Sequence, residues 1–231
     1  MSELIDPEFG SIVIRRVAKA RHIRLRLSPS GQIVASMPRF APTYLVKKLL
    51  DSSRDALRKA LAEHGTNGPP VYVDGMKIGA SHKIVMSYGP RASARARGQL
   101  ILWQVTDGND PRSPRHQTVI RRAVRKALDR EAKSYLPRRL HYLAEQYGFN
   151  YSQVRYSNAK GRWGSCSSRG VISLNVALMN IPMEIVDYVL VHELCHTRHL
   201  NHSPLFWSEV ERCYTDYKSV RKQLKSFSPY L

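Results

Sequence analysis

The chain has 231 residues, 42% of them apolar, so it can form one large domain or two small ones with a real hydrophobic core. Its 37 basic residues outnumber its 18 acidic residues and give a net charge of +19, which favours anionic partners such as nucleic acid or nucleotides. The most apolar stretch, residues 181–191, contains acidic side chains and is much shorter than the roughly 20 residues that cross a membrane. We therefore expect no membrane association.

The cysteines Cys166, Cys195 and Cys213 are odd in number and match no disulfide framework. The N-terminus also lacks the basic stretch and apolar run of a secretory leader. Together these features predict a reduced, cytoplasmic protein.

The first part of the chain has strand-like alternation and one helical segment. Alternation in residues 12–17, 22–27 and 33–37 predicts a small antiparallel meander. Residues 42–64 keep helical spacing, so one helix is expected to pack on that sheet. This part is also the more basic one, with a net charge of +15 in residues 1–150 against +4 in residues 151–231. Further short β-like runs lie at residues 71–73, 76–78, 83–87 and 100–105.

The loop Asp107 to Pro114 is rich in Gly, Asn and Pro, and we place the domain boundary there, between residues 1–110 and 111–231. Helical spacing then runs from His116 to Tyr147, with Pro137 expected to break or kink the helix. The other face of this helix is basic. Such a face can track phosphates, although a solvated face is the commoner reason for a run of charge. Its members are Arg121, Arg122, Arg125, Lys126, Arg130, Lys133, Arg138 and Arg139.

The strongest chemical signal is the segment His192-Glu-Leu-Cys-His196. Residues four apart share one face of an α-helix, so His192 and His196 can present imidazole nitrogens to one metal ion. Glu193 then lies beside that ion, where its carboxylate can take a proton from water and return it to the leaving group. The flanking residues are mostly apolar and predict a buried helix. The motif therefore predicts a Zn²⁺ site with Glu193 as the catalytic base of a hydrolase.

His202 is the expected third ligand, because it follows His196 by six residues, as in the extended pattern H-E-x-x-H-x-x-x-x-x-H. Asn201 is expected to adopt a left-handed conformation that turns His202 back toward the metal. Ser203 as N-cap and Pro204 at the first position are expected to start the next helix.

Two other side chains are rivals for the third ligand position. His199 shares a helical face with His192, but a straight helix places it about 10 Å further along the axis, which makes a tetrahedral site awkward. Glu209 is a weaker rival on the following helix. Phe206 and Trp207 are expected to pack against the metal helix rather than bind a ligand.

The residues before the metal helix form a candidate substrate cleft. Residues 157–170 are rich in glycine and lead into residues 171–178, a hairpin-like stretch that ends just before the helix. An extended substrate can pair with a sheet edge through its backbone. The alternative is that the glycines only shape turns and that the tryptophan packs in the core. The candidate substrate-binding residues are Arg162, Trp163, Ser165 and Asn175.

Together these motifs resemble the YgjP-like metallopeptidase family, whose relatives are the SprT-like and WLM zinc proteases. The resemblance implies an α+β fold, with a zincin-like catalytic domain over residues 111–231 after a small, basic, antiparallel β-rich part. It also implies Zn²⁺ at His192, His196 and His202, with Glu193 as catalytic base. The motifs that carry it are Arg162-Trp-Gly-Ser-Cys-Ser167, Ile172-Ser-Leu-Asn175, the His192 to His196 segment, Asn201-His-Ser-Pro204 and Phe206-Trp207, and residues 21–27 and 72–75 are also similar.

Three functions fit these observations. The preferred one is a zinc metallopeptidase acting on a protein or peptide, with the basic N-terminal part recruiting nucleic-acid-associated targets. The second is a metal-dependent nucleotide phosphohydrolase of the nucleoside triphosphate pyrophosphatase type, because Arg162 and the net charge also suit phosphate. The third is a non-enzymatic basic nucleic-acid-binding module with a structural zinc. Glu193 argues against the third, because a structural site needs a fourth ligand and no base.

Overall fold

The computed structural model describes residues 2–18, 20–28, 32–64 and 70–231. Contacts divide the chain into two compact units, Met1–Pro69 and Pro70–Leu231, and each unit has its own hydrophobic core. The boundary between the units therefore lies between residues 69 and 70. The sequence pattern had instead indicated the loop at residues 107–114. The boundary does not lie there because strands preceding this loop bury Ile84, Ile101 and Trp103 in the same core as the long helix that follows it.

The first unit contains a four-stranded sheet of β1 (Ser2–Asp6), β2 (Gly10–Val17), β3 (Arg24–Leu27) and β4 (Ile33–Pro38), in the order β1-β2-β4-β3. Strand β1, which was not predicted, pairs antiparallel with β2, whereas the antiparallel pairing of β3 with β4 was predicted. However, β2 and β4 run parallel, so the sheet is not a simple meander. Alternate residues of β2 and β4 fill the core of this unit: Ile12, Ile14, Ile33, Ala35 and Met37.

Two helices, α1 (Tyr44–Ser52) and α2 (Arg54–His64), stand where the sequence predicted one. Where α1 ends, the Ser52 hydroxyl donates to the Leu49 carbonyl at 3.0 Å, a local hydrogen bond that competes with the helical pattern. Helix α2 is anchored at its start, because Arg54 donates to both carboxylate oxygens of buried Asp6, at 3.2 and 3.0 Å. This pairing holds the pKa of Asp6 below its ordinary value.

The second unit begins with a sheet of β5 (Lys77–Ile78), β6 (His82–Gly89), β7 (Ser93–Arg97) and β8 (Leu100–Thr106), in the order β5-β6-β8-β7. Strand β7 was not predicted, because Ser-Ala-Arg-Ala-Arg contains no β-branched or aromatic residue. Conversely, residues 71–73 are not a strand. The backbone of Tyr72 instead bonds with the Gln117 side chain, donating at 2.8 Å and accepting at 2.9 Å.

Helix α3 (Pro114–Tyr147) is continuous over 34 residues and ends at Gly148, which has a φ of 71°. The sequence predicted a break or a kink at Pro137, and the helix is not broken there. Pro137 removes one backbone hydrogen bond, but Leu136 and Leu140 on either side of it are fully buried, so core packing holds the helix together. No helix in the described ranges is long and apolar enough to cross a membrane.

A second sheet of this unit contains β9 (Gln153–Ser157), β10 (Gly164–Cys166) and β11 (Val171–Asn175), in the order β10-β11-β9. Strands β10 and β11 are antiparallel, which agrees with the predicted hairpin, whereas β9 and β11 are parallel. A 3₁₀ turn at Val176–Asn180 replaces the end of the expected strand. Helices α4 (Met183–Cys195), α5 (Pro204–Cys213) and α6 (Tyr217–Leu224) complete the predicted α+β fold.

An ion pair joins α3 to α4. The Arg139 guanidinium donates to both carboxylate oxygens of Asp187, at 2.8 and 2.6 Å, and it also lies over the Tyr142 ring. Neighbouring Arg138, by contrast, is exposed and donates only to Ser134 of its own helix. Two adjacent arginines therefore have different roles, one between helices and one within a helix.

We expect Arg139→Ala to lower the free energy of unfolding by about 1–3 kcal/mol, because it leaves the partly buried Asp187 without its charged donor. The matched control Arg138→Ala removes the same charge one residue away and should stay within about 0.5 kcal/mol of the parent. Urea unfolding of the parent and both variants measures this difference. Equal losses in the two variants would show that the interhelical pair adds nothing.

Candidate metal centre

The end of helix α4 and the chain that follows it bring three histidines together. His192 lies in the last turn of α4 and His196 caps the C-terminal end of that helix, with the two ring centroids 4.8 Å apart. The loop after the helix returns His202 to them, and its Nε2 lies 3.2 Å from Nε2 of His192. One nitrogen from each ring lies within 4.8 Å of the others. The three predicted ligands are therefore adjacent in the fold.

A backbone carbonyl and two aromatic side chains contact the imidazole rings. The Nδ1 atom of His196 lies 2.9 Å from the His199 carbonyl oxygen, which favours the tautomer whose Nε2 is free to bind a metal. Phe206 is fully buried and stacks on His196, with centroids 4.4 Å apart, while Trp207 stacks on His202. Phe206 and Trp207 thus pack against the histidines, as predicted.

The chain turns between α4 and α5 without the expected left-handed residue. Among the described residues, only glycines have positive φ, so Asn201 is not left-handed. Instead the backbone N–H groups of Thr197, Arg198 and His199 donate to Leu194 and Cys195, which tightens the helix end. Ser203 does cap α5, accepting from the Phe206 N–H, and Pro204 follows it as predicted.

The rival ligands lie apart from this group. His199 contributes its backbone carbonyl to His196, and its ring is not part of the three-nitrogen group. Glu209 is bound by two guanidinium groups, Arg198 at 2.5 Å and Arg212 at 3.0 Å, which keep its pKa below its ordinary value. Glu209 therefore belongs to an ion-pair cluster.

Glu193 is a buried carboxylate with only 5% of its surface exposed, and its Oε2 has no hydrogen-bond partner among the described residues. Burial raises the pKa of Glu193 to about 8, and the charge of Arg162 acts in the opposite direction. Burial, with the neighbouring imidazoles, also lowers the pKa of His192 to about 3. Neutral imidazole is the form that ligates metals, and a cation nearby would stabilise the Glu193 carboxylate. These residues therefore fit a divalent metal ion.

Strand β10 approaches Glu193 closely at Gly164, a contact that was not predicted. A Cβ atom at this position would lie 2.5 Å from Oε1 and 2.8 Å from Cδ of Glu193, so only glycine fits without moving the carboxylate. The available signal was a glycine inside a strand-like segment, which often marks a close approach of the backbone. The sheet order makes β10 an edge strand beside this carboxylate.

The four predicted substrate-binding residues occupy different environments. Arg162 is exposed, and its charge opposes the rise in the pKa of Glu193 that burial causes. Ser165 is half-buried on β10. Trp163 is half-buried against the core. Asn175 is fully buried; it accepts from the Ala177 N–H and donates to the carbonyls of residues 159 and 162, at 2.7 and 2.9 Å. Asn175 therefore holds the loop that carries Arg162 instead of facing a substrate.

We expect His202→Ala to weaken metal binding by more than the roughly 10–100-fold that follows loss of a group that only orients a ligand. The matched control is His199→Ala, which keeps the backbone carbonyl that bonds with His196 and should bind metal like the parent. Metal content and competition with a chelator measure both variants. The reverse ranking would assign the third nitrogen to His199.

The family model described as YgjP-like, metallopeptidase domain, matches residues 21–227. A similar solved structure is the metallopeptidase zymogen abylysin of Pyrococcus abyssi, at 28% identity over 38% of this chain and 90% of that chain. Its TM-score of 0.35 is too low to carry an argument, and no curated protein matches the chain. Because the family match spans most of the sequence, the chain belongs to the YgjP-like metallopeptidase family.

Proposed function

We propose that the protein is a zinc-dependent peptidase in which His192, His196 and His202 hold the metal and Glu193 is the general base. The observation that carries this proposal is a buried carboxylate, one oxygen of which has no hydrogen-bond partner in the described part of the chain. It is adjacent in sequence to one of three converging imidazoles. Family membership supports the coarser statement that the protein is a hydrolase that uses a divalent metal.

Zinc is the proposed metal because the donor set consists of imidazole nitrogens. Zn²⁺ accepts such donors in tetrahedral sites, and three protein ligands leave one position for water or substrate. A structural zinc would need a fourth protein ligand, and none joins the three histidines among the described residues. When bound, the metal supplies Lewis acidity that polarises a peptide carbonyl and lowers the pKa of a water molecule.

Glu193 provides the proton transfers in this proposal. Its Oε2 is free to accept a proton from the attacking water and to return it to the nitrogen that leaves. Arg162 is exposed beside it and is the candidate to hold the developing negative charge of the substrate carbonyl. Gly164 keeps the strand backbone close to Glu193 and thereby limits where the carboxylate can move.

The proposed substrate is an extended peptide that pairs with the free edge of β10. The strand pairs with β11 on one side, with Ser165 opposite Ser173, and it ends the order of the sheet on the other. Backbone pairing at an edge holds a peptide regardless of most of its side chains. An edge beside Glu193 would place a bound peptide bond near the base.

Two finer points also belong to this proposal. The net charge of +19 supports substrates that are associated with nucleic acid. The cysteines are odd in number and match no disulfide framework, which supports a reducing, cytoplasmic compartment. Thiol titration of protein taken directly from cells tests the latter, and recovery of a disulfide between them would contradict it.

We expect Glu193→Gln to lose at least about 100-fold in peptide cleavage while retaining its metal, because the amide keeps the shape of the side chain but cannot accept the proton. A panel of unfolded proteins and peptides, with metal content measured on the same samples, tests this. A nucleotide panel run in parallel addresses the phosphohydrolase alternative. Phosphate release that needs His192, without any peptide cleavage, would overturn the peptidase proposal.

A second variant tests the close approach of β10. We expect Gly164→Ala to reduce peptide cleavage at least about tenfold with metal binding preserved, because the added Cβ must displace the Glu193 carboxylate. The matched control is Gly161→Ala, where an added Cβ meets nothing within 4 Å and no positive φ is required. Steady-state cleavage rates of the two variants decide the point. Equal activity would show that Glu193 does not depend on this contact.

A further inference from the structure

A basic groove lies between edge strand β7 and helix α3, in the second unit. It has a volume of about 330 Å³, and its floor consists of small apolar side chains, Ala94, Ala96, Val119 and Ala123. The remaining lining residues are all cationic: Arg95 from the strand and Arg122, Lys126 and Arg130 from the helix. No acidic side chain lines it. The groove therefore offers concentrated positive charge over a shallow apolar base.

Several other basic residues of α3 differ from these cations, because they have partners within the protein. Lys133 pairs with Asp129, Arg139 with Asp187, and Arg138 with Ser134. Arg121 donates to the carbonyl of Pro70 and lies over the Tyr72 ring. In contrast, the four cations of the groove are exposed, and no residue in the described ranges forms a hydrogen bond or ion pair with their side chains. Their charge is available to a partner.

The arrangement of the helical cations suits a partner with regularly spaced negative charge. Arg122, Lys126 and Arg130 recur every four residues, so they are stepped by about 6 Å along one face of α3. A nucleic acid carries a phosphate at every nucleotide, whereas an acidic peptide carries carboxylates only where its sequence places them. Guanidinium groups, which three of the four cations have, bind phosphate oxygens in a two-pronged manner.

We propose that the groove between β7 and α3 binds the phosphate backbone of nucleic acid, with Arg95, Arg122, Lys126 and Arg130 as the contacting cations. No aromatic side chain lines the groove, so base stacking does not contribute. Binding is therefore independent of sequence and strongly dependent on salt. The inference extends the nucleic-acid part of the proposed function and does not rest on peptidase chemistry, because a Glu193→Gln chain is expected to bind like the parent.

The test uses the full chain and a fluorescent 20-base-pair duplex, with anisotropy measured over a series of salt concentrations. The triple variant Arg122→Gln, Lys126→Gln, Arg130→Gln should weaken binding at least about tenfold and reduce the salt slope by about 2–3, since each phosphate contact contributes roughly 0.9. The matched triple Arg169→Gln, Lys222→Gln, Lys225→Gln removes the same charge from exposed positions elsewhere in the unit and should change the affinity less than about twofold.

Additional variants and competing anionic ligands complete the test. A variant that retains charge, Arg122→Lys with Arg130→Lys, should keep most of the salt slope, and urea unfolding confirms that all variants fold. The proposal is overturned if both triples weaken binding equally, since bulk charge would then explain it. It is also overturned if the chain binds polyglutamate or anionic vesicles in preference to duplex or single-stranded DNA. Loss of peptide cleavage in Glu193→Gln with intact duplex binding separates this result from the peptidase test.

Discussion

The burial of helix α4 is the constraint on which the candidate metal centre depends. Nine of its 13 residues are buried, so few positions on the helix let a polar side chain retain its water. His192 and Glu193 are nevertheless on it, and burial shifts both toward their neutral forms. For an imidazole, neutrality is the state that binds a metal. For the carboxylate, a bound cation would offset the cost of burial, so the same burial that is unfavourable in the free chain favours binding of the ion.

Support for this helix comes from segments that are distant in sequence. The oxygen and the nitrogen of the Asn175 amide both form hydrogen bonds with the backbone of neighbouring segments. These bonds fix the loop that precedes β10. Gly164 lets that strand contact the Glu193 carboxylate, and Phe206 fills the space behind the three imidazoles. Each contact restricts a group that has a role in the proposed chemistry. The geometry of the candidate centre therefore depends on the core around it as much as on the His192 to His196 motif.

Features that follow from local pattern could be predicted from the sequence. The buried helix that carries His192 and Glu193, the hairpin of β10 and β11, and the Ser203 cap all depend on neighbouring residues, and the structure contains each of them. The spacing of His202 predicted its return toward His196, although the turn does not use a left-handed Asn201. Helix α3 passes through Pro137 because its flanking leucines are buried, and burial of this kind depends on distant residues that no local pattern reveals.

The presence of strand β7, which was not predicted, and the position of the boundary between the two units have a common cause. Strand β7 exists because its alanines pack inward against the core of the second unit while its backbone pairs with β8, and neither contact can be read from Ser-Ala-Arg-Ala-Arg alone. Since that sheet buries its residues together with α3, the loop between them is internal to one unit and is not a linker. A loop rich in Gly and Pro shows that the chain turns, but only the packing on both sides shows whether it separates domains.

Helix α3 carries two sets of basic residues that its sequence does not distinguish. From Arg122 to Arg139 the helix rises about 25 Å, and its basic residues appear as one run. At the far end, Arg139 is used inside the protein to hold α4, whereas Arg122, Lys126 and Arg130 have no such partner in the described ranges. The difference arises from what packs opposite each position: an acidic residue of α4 at one end and the alanines of β7 at the other. Small neutral neighbours leave the groove cations without counterions, so part of the net charge of the chain is concentrated at a defined surface.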